Sequence, residues 1–108
     1  MDMVNRFEVY DINLNPTVGR EIQKIRPCVV ISPNEMNVNL ETIIIAPLTS
    51  TIKNYPSRLT VEFEKRIGSI ALDQIRSVDK IRLLSRRGIL DTKYHLSLFQ
   101  LIQEIFTF

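Results

Sequence analysis

The period of 3.6 residues that marks an amphipathic helix runs for any length only once in this chain, at its C-terminal end. Tyr94, Leu98, Leu101, Ile102 and Ile105 fall on one helical stripe, and Asp91 stands where an N-cap belongs. The spacing predicts a helix over 92–106. Leu96, Phe99 and Phe106 widen its apolar surface beyond one stripe, enough for a second subunit unless a small core uses it all. Everything before it reads as short strands. In 7–14, Tyr10, Ile12 and Leu14 share one face, with Asp11 and Asn13 on the other. The run 27–31 is apolar, as a buried strand would be, with Pro27 expected at its start, where no ladder donor is needed. Ser32-Pro33-Asn34-Glu35 reads as the cap of a short helical turn. The stretch 42–48 is rich in β-branched residues. Leu59, Val61 and Phe63 alternate with Thr60, Glu62 and Glu64, and 67–72 reads as their hairpin partner, with Gly68 near the turn. Residues 75–78 continue or bend that strand, and 79–82 read as a turn or short helical piece. The class is mostly β (α+β), a small curved sheet or barrel with a C-terminal helix on one face.

A chain of 108 residues implies one domain, 1–108. Its 44% hydrophobic and 24% charged residues argue against disorder. The single cysteine, Cys28, excludes an internal disulfide and is expected to be a buried apolar filler. The opening Met-Asp-Met-Val-Asn-Arg lacks a leader's basic-then-apolar order, and no apolar run approaches the roughly 20 residues that cross a bilayer. A reducing, cytoplasmic setting with no membrane contact is the expectation.

Two polar stretches interrupt the strands. Residues 15–24 form a loop longer than an ordinary hairpin connection, and 49–57 form another; long loops in compact domains often carry function. The net charge of +2 says little about partners, but local clusters say more. Arg76, Lys80, Arg82, Arg86 and Arg87 face only Asp79 within 74–88, and Arg20, Lys24 and Arg26 enclose Glu21. These are either solvated faces or a footprint for polyanions.

Missing residues narrow the chemistry. His95 is the only histidine, so paired-histidine acid–base catalysis and a His-Cys zinc site lack their residues. Placed inside the helix, it reads as an ordinary, partly exposed helix residue. No phosphate-cradling Gly-x-x-x-x-Gly-Lys motif occurs. Glu62, Glu64 and Asp73 can be drawn as a divalent-metal cluster, but Glu64-Lys65-Arg66 looks like a solvated turn. No metal and no cofactor is expected.

Three blocks resemble one known family. Residues 15–32 run Asn-Pro-Thr-Val-Gly-Arg-Glu-Ile-Gln-Lys-Ile-Arg-Pro-Cys-Val-Val-Ile-Ser, Ala46-Pro47-Leu48-Thr49-Ser50 follows, and 72–83 read Leu-Asp-Gln-Ile-Arg-Ser-Val-Asp-Lys-Ile-Arg-Leu. In order and spacing they resemble the MazF/PemK family of toxin-antitoxin ribonucleases, over essentially the whole chain. The resemblance implies a small SH3-like, strongly bent antiparallel β-barrel with short helices and a C-terminal helix. It implies a homodimer whose groove takes single-stranded RNA, cut at short sequences without a metal ion, and a cognate antitoxin protein that blocks the groove. One departure is visible: family members often start the first strand with Arg-Gly-Asp/Glu, where this chain has Arg6-Phe7-Glu8. Phe7 lacks a glycine's backbone freedom, so the start of that strand is expected to differ.

The resemblance assigns catalysis to Arg26 and Thr49. RNA can be cut by its own 2′-hydroxyl attacking the phosphorus, which leaves a 2′,3′-cyclic phosphate and a 5′-hydroxyl. With no usable histidine, an arginine must carry most of the charge stabilisation; its planar fork grips two phosphate oxygens and stays charged at any ordinary pH. A threonine hydroxyl both donates and accepts. Glu21, Lys24, Gln74 and Arg76 are the expected RNA contacts, with Gly19, Pro27 and Ser50 beside them in the same blocks. Arg82, Arg86 and Arg87 are expected to be solvated or to face the antitoxin. Two alternatives stay open: a toxin of the same barrel class that poisons DNA gyrase, and a non-catalytic RNA-binding module.

Overall fold

The computed structural model describes residues 3–107; Met1, Asp2 and Phe108, and with them the start of the leader reading, lie outside the described residues. The strands are β1 (Glu8–Asn13), β2 (Ile25–Val30), β3 (Thr42–Thr49), β4 (Arg58–Phe63), β5 (Arg66–Ala71), β6 (Arg76–Asp79) and β7 (Leu83–Ile89). The helices are α1 (Asn34–Asn39) and α2 (His95–Ile105), and 3-10 turns occupy Leu72–Gln74, Lys80–Arg82 and Thr92–Tyr94. The sheet runs β4-β5-β3-β2-β1-β7, antiparallel throughout, with β6 also on β3. The mostly β class with a terminal helix holds. None of these helices is long and apolar enough to cross a membrane.

Two prolines mark where the sheet changes partners. The Leu14 amide donates to Lys24 O at 3.0 Å, so by antiparallel alternation Asp11 and Pro27 face each other as a non-hydrogen-bonded pair. The Pro27 nitrogen therefore turns toward β3, and β2–β3 pairing begins only at Cys28 opposite Pro47. Pro27 lies inside β2 rather than at its start, tolerated because that side has no ladder there. Pro47 repeats the device. The Ile31 amide donates to Ile44 O at 2.8 Å, which sets Cys28–Pro47 as non-hydrogen-bonded and turns the Pro47 nitrogen away from β2. On that side β3 pairs with β6 up to Ile45 and with β5 from Leu48, so Pro47 falls in the gap.

The central strands are buried on both faces. Tyr10, Ile12, Cys28, Val30, Ile43 and Ile45 enter one cluster, while Val9, Val29, Ala46 and Leu48 enter the other. That is why β2 and β3 read as continuous apolar runs instead of alternating ones. Helix α2 closes the second cluster through fully buried Leu98, with Tyr94, Phe99, Leu101 and Ile102 packed beside it. Its start is where the sequence put it: Asp91 accepts from the Lys93 amide at 3.0 Å, although the first turn is 3-10. Truncating Leu98 to Ala would remove about 2–4 kcal/mol.

Phe7 adopts φ +74°, the left-handed conformation a glycine takes readily, although it lacks a glycine's backbone freedom. Its ring holds it there, stacked on His95 at 3.4 Å and edge-on to Phe99 at 5.7 Å, with the Arg6 guanidinium over Phe99. His95 is the partly exposed helix residue the sequence suggested, its Nε2 bonded to Leu90 O at 2.8 Å. Several local expectations need correction. Ser32 does not cap α1; Pro33 takes the N-cap position with no side-chain bond, and Ser32 Oγ bonds buried Asn37 at 2.5 Å instead. Gly68 is not at the hairpin turn, which is Glu64–Lys65, but within β5; a Cβ there would lie 2.7 Å from the Thr49 carbonyl oxygen. Strand β7 has no apolar alternation, since only Leu83 is buried, and it was unreadable for that reason. It is an edge strand guarded by charge.

The two sheet edges, β4 and β7, meet through side chains. The Phe63 ring lies 3.5 Å from where a Cβ on Gly88 would sit, and Arg87 of β7 bonds Glu64 just past β4. The bent sheet thus approaches a barrel without a continuous backbone ladder.

Candidate functional site

The ends of β2 and β3 carry the residues the sequence singled out. Arg26 is exposed on β2 opposite Ile12, its Nε donating to Gln23 O at 3.3 Å. Thr49 ends β3; its Oγ1 accepts from the Thr51 amide at 3.2 Å, and its backbone sits against Gly68. Buried Ser69 fixes the following loop by donating from Oγ to Thr51 O at 3.1 Å. Arg26, Pro27, Thr49 and Ser50 line a single groove of about 270 Å³.

A second cavity, of about 360 Å³, has Pro47 in its wall, the chain neighbour of Leu48 in the first. Glu21, Gln74 and Arg76 line it. The expected contacts therefore divide into a group around Arg26 and a group beneath the 15–24 loop. Gly19 and Lys24 line neither cavity and shape that loop. Gly19 takes φ +61° within a turn in which Glu21 Oε1 accepts from the Val18 amide at 2.8 Å. Lys24 takes φ +70°, its amide donating to Asn15 Oδ1 at 3.0 Å.

Gln74 and Arg76 reach the loop directly. Gln74 Oε1 accepts from the Ile22 amide at 2.6 Å, which leaves its NH2 group for a ligand. Arg76 Nη1 donates to Leu14 O at 3.2 Å, and Arg82 Nη1 donates to Asn13 O at 3.1 Å and to Asn15 O. Arg82, expected to be merely solvated or antitoxin-facing, thus ties down the loop's first residues. The 3-10 turn that presents Gln74 is anchored by Arg58, whose Nε bonds Asp73 at 2.6 Å. That contact, with help from Ser57, holds the Asp73 carboxyl below the usual carboxylate range.

Sequence reasoning missed the groove's other wall: Phe63, Glu64, Arg66, Ile67 and Arg87. Alternation along β4 gave no sign that its turn returns to β7. Arg26 and Arg66 have no carboxylate partner among the described residues, whereas Arg87 binds both Asp11 and Glu64. The carboxylates once drawn as a metal cluster are occupied differently: Asp73 by Arg58 and Glu64 by Arg87. Among the described residues no three metal-ligating side chains stand together. Cys28 is buried in the core beneath the groove strands, and burial pushes its thiol up to about 12, which makes it unreactive. The site therefore offers exposed guanidiniums, a hydroxyl and an amide, a set suited to a phosphodiester.

Comparison with known proteins places the chain in a family. Residues 5–106 match the family model described as the PemK-like, MazF-like toxin of type II toxin-antitoxin system. The endoribonuclease MazF of Staphylococcus saprophyticus is 35% identical over 97 residues, covering 84% of this chain and 81% of that protein. The crystal structure of MazF from Deinococcus radiodurans superposes with a TM-score of 0.84 at 22% identity, covering 95% of this chain and 96% of that one. A mycobacterial endoribonuclease in complex with its cognate antitoxin gives 0.79 at 18% identity, covering 94% and 92%. This chain belongs to the PemK-like, MazF-like toxins of type II toxin-antitoxin systems.

Proposed function

We propose that this chain is an endoribonuclease toxin that cuts single-stranded RNA at a preferred short sequence, without a metal ion, by attack of the neighbouring 2′-hydroxyl. The observation that carries the reading is the convergence of Arg26 and Thr49, distant in sequence, on one groove. In-line attack puts extra negative charge on the phosphoryl oxygens. The Arg26 guanidinium, exposed and without a carboxylate partner among the described residues, stabilises that charge through two parallel hydrogen bonds. Thr49 Oγ1 holds the phosphate or orients the attacking hydroxyl. The 2′-hydroxyl loses its proton as the bond to phosphorus forms, and the departing 5′-oxygen takes one up. The products are a 2′,3′-cyclic phosphate and a 5′-hydroxyl. The Gln74 amide and the Arg76 guanidinium, in the second cavity, contact other nucleotides of the strand, and Glu21 shapes the loop beside them.

The partners follow the same reading. A cognate antitoxin protein covers the groove, where Ile67, more than half exposed in its wall, offers a peptide an apolar contact. A homodimer would cover some of the apolar surface that α2 and its surroundings leave in water, including Leu96 and Phe106. An RNA target and an unpaired Cys28 both suit the cytoplasm. Incubation with a long unstructured RNA tests the reading. Wild-type chain should give discrete fragments, equally in EDTA, and Arg26→Ala should lower the rate by at least about 10²-fold with unchanged melting. Intact RNA with wild-type protein would instead favour a gyrase poison or a binding module.

A further inference from the structure

Arg87 stands in the wall of the groove but is not free to act there. Its Nη1 donates to Asp11 on β1 at 2.9 Å, and its Nε and Nη2 donate to Glu64 on the β4–β5 turn, the former at 3.3 Å. Glu64 lines the groove too, as the one carboxylate among three guanidiniums. The Arg87, Glu64 and Asp11 side chains are 35%, 42% and 25% exposed. Ion pairs in that setting contribute about 0–1 kcal/mol each, weak enough for an arriving phosphate to exchange with. The turn itself has no use for a glutamate. Glu64 and Lys65 take φ +52° and +63°, the two left-handed positions where asparagine and glycine are favoured. What Glu64 contributes there is its carboxylate.

We propose that Glu64 attenuates the groove: by holding Arg87 it keeps a third guanidinium off the RNA backbone and limits affinity for the substrate. This deepens the RNA-cleaving reading and rests on it. Removing the Glu64 charge should strengthen RNA binding, the opposite of what loss of a merely structural ion pair does.

The test uses the full chain and a mixed-sequence, fully 2′-O-methylated RNA oligonucleotide of about ten nucleotides, which binds without being cut. Kd is measured between about 50 and 200 mM salt, the range over which phosphate contacts show. Glu64→Gln should tighten binding by roughly three- to tenfold at the lower salt, and steepen the slope of log K on log salt by about 0.7, one phosphate contact on a single strand. Glu64→Asn, better suited to the left-handed turn, should do the same without loss of thermal stability. Arg87→Ala, which removes a guanidinium that makes no RNA contact in the wild type, should keep the wild-type slope, and in that background Glu64→Gln should leave the slope unmoved. If both Glu64 variants melt as wild type yet bind more weakly, or with the wild-type slope, the attenuator role is overturned. If wild-type chain neither binds nor cuts RNA, the nuclease reading itself has failed. If it cuts RNA while the slope stays fixed, only the role of Glu64 falls.

Discussion

Phe7 and Lys24 take nearly the same backbone conformation, φ +74° and +70°, and are held in it by opposite means. Around Phe7 the restraint is apolar: His95 stacked on the ring, Phe99 against its edge, and the second core behind it. Around Lys24 it is polar: Asn15 Oδ1 on its amide, Gln74 on Ile22, Arg76 and Arg82 on the carbonyls of Leu14, Asn13 and Asn15. Only Ile22 of that loop packs on a core. Each left-handed non-glycine residue costs of order 1–3 kcal/mol and persists only where its surroundings over-determine it. The difference separates scaffold from working part. A corner held by rings opens only when the core opens; a loop held by individual hydrogen bonds rearranges at much lower free energy and leads directly into Arg26.

The largest expected effect lies at the corner. Phe7→Ala removes the ring and keeps the strain, so urea unfolding should show a loss of about 2–3 kcal/mol. Phe7→Gly should be the milder variant by about 1 kcal/mol, reversing the usual ranking of alanine over glycine, because it relieves the left-handed backbone. Equal losses for the two would mean that the ring does not hold a strained residue. Next comes the loop. Gln74→Leu leaves the Ile22 amide without its acceptor and takes away the amide that faces RNA. It should raise KM about tenfold while costing no more than about 1 kcal/mol in stability. A large stability loss without a change in KM would erase the contrast between loop and corner. The smallest effect belongs to the anchor of the 3-10 turn. Asp73→Asn breaks the pair with Arg58 and should cost about 1 kcal/mol at pH 7, discounted for its partial exposure. Arg58 lowers the Asp73 pKa from its ordinary 3.8, so this stability is present above that value and is lost as pH falls through the lower folded one. The difference between variant and wild type should therefore shrink below about pH 4; a difference that persists in stronger acid would rule out the ion pair as its source.

Much of this was legible before any coordinates. Period-two runs gave β1 and β4, β-branched runs gave β2 and β3, and the 3.6 period with Asp91 gave α2. The family resemblance picked out Arg26, Thr49, Gln74 and Arg76, and the fold gathers them into two cavities, the first two in one and the last two in the other. What escaped was whatever depends on long-range closure. Strand β7 is an edge whose outward side chains are charged, so it carries no apolar period to read. The Arg87–Glu64 contact spans the whole sheet, from one edge strand to the turn beside the other, and nothing local records it. The left-handed backbone of Phe7 was hidden for a related reason: residue type gives backbone preference, but the ring of His95 that overrides it lies 88 positions away.

The central claim is that a guanidinium and a hydroxyl at the mouth of the loop hold a phosphate while its own ribose attacks. The most direct measurement compares an RNA containing the cleaved sequence with the same strand carrying one 2′-deoxyribose on the 5′ side of the cut, both in EDTA. The account predicts that the first is cut to a cyclic phosphate and the second stays whole. Cleavage of both strands at the same bond would contradict it.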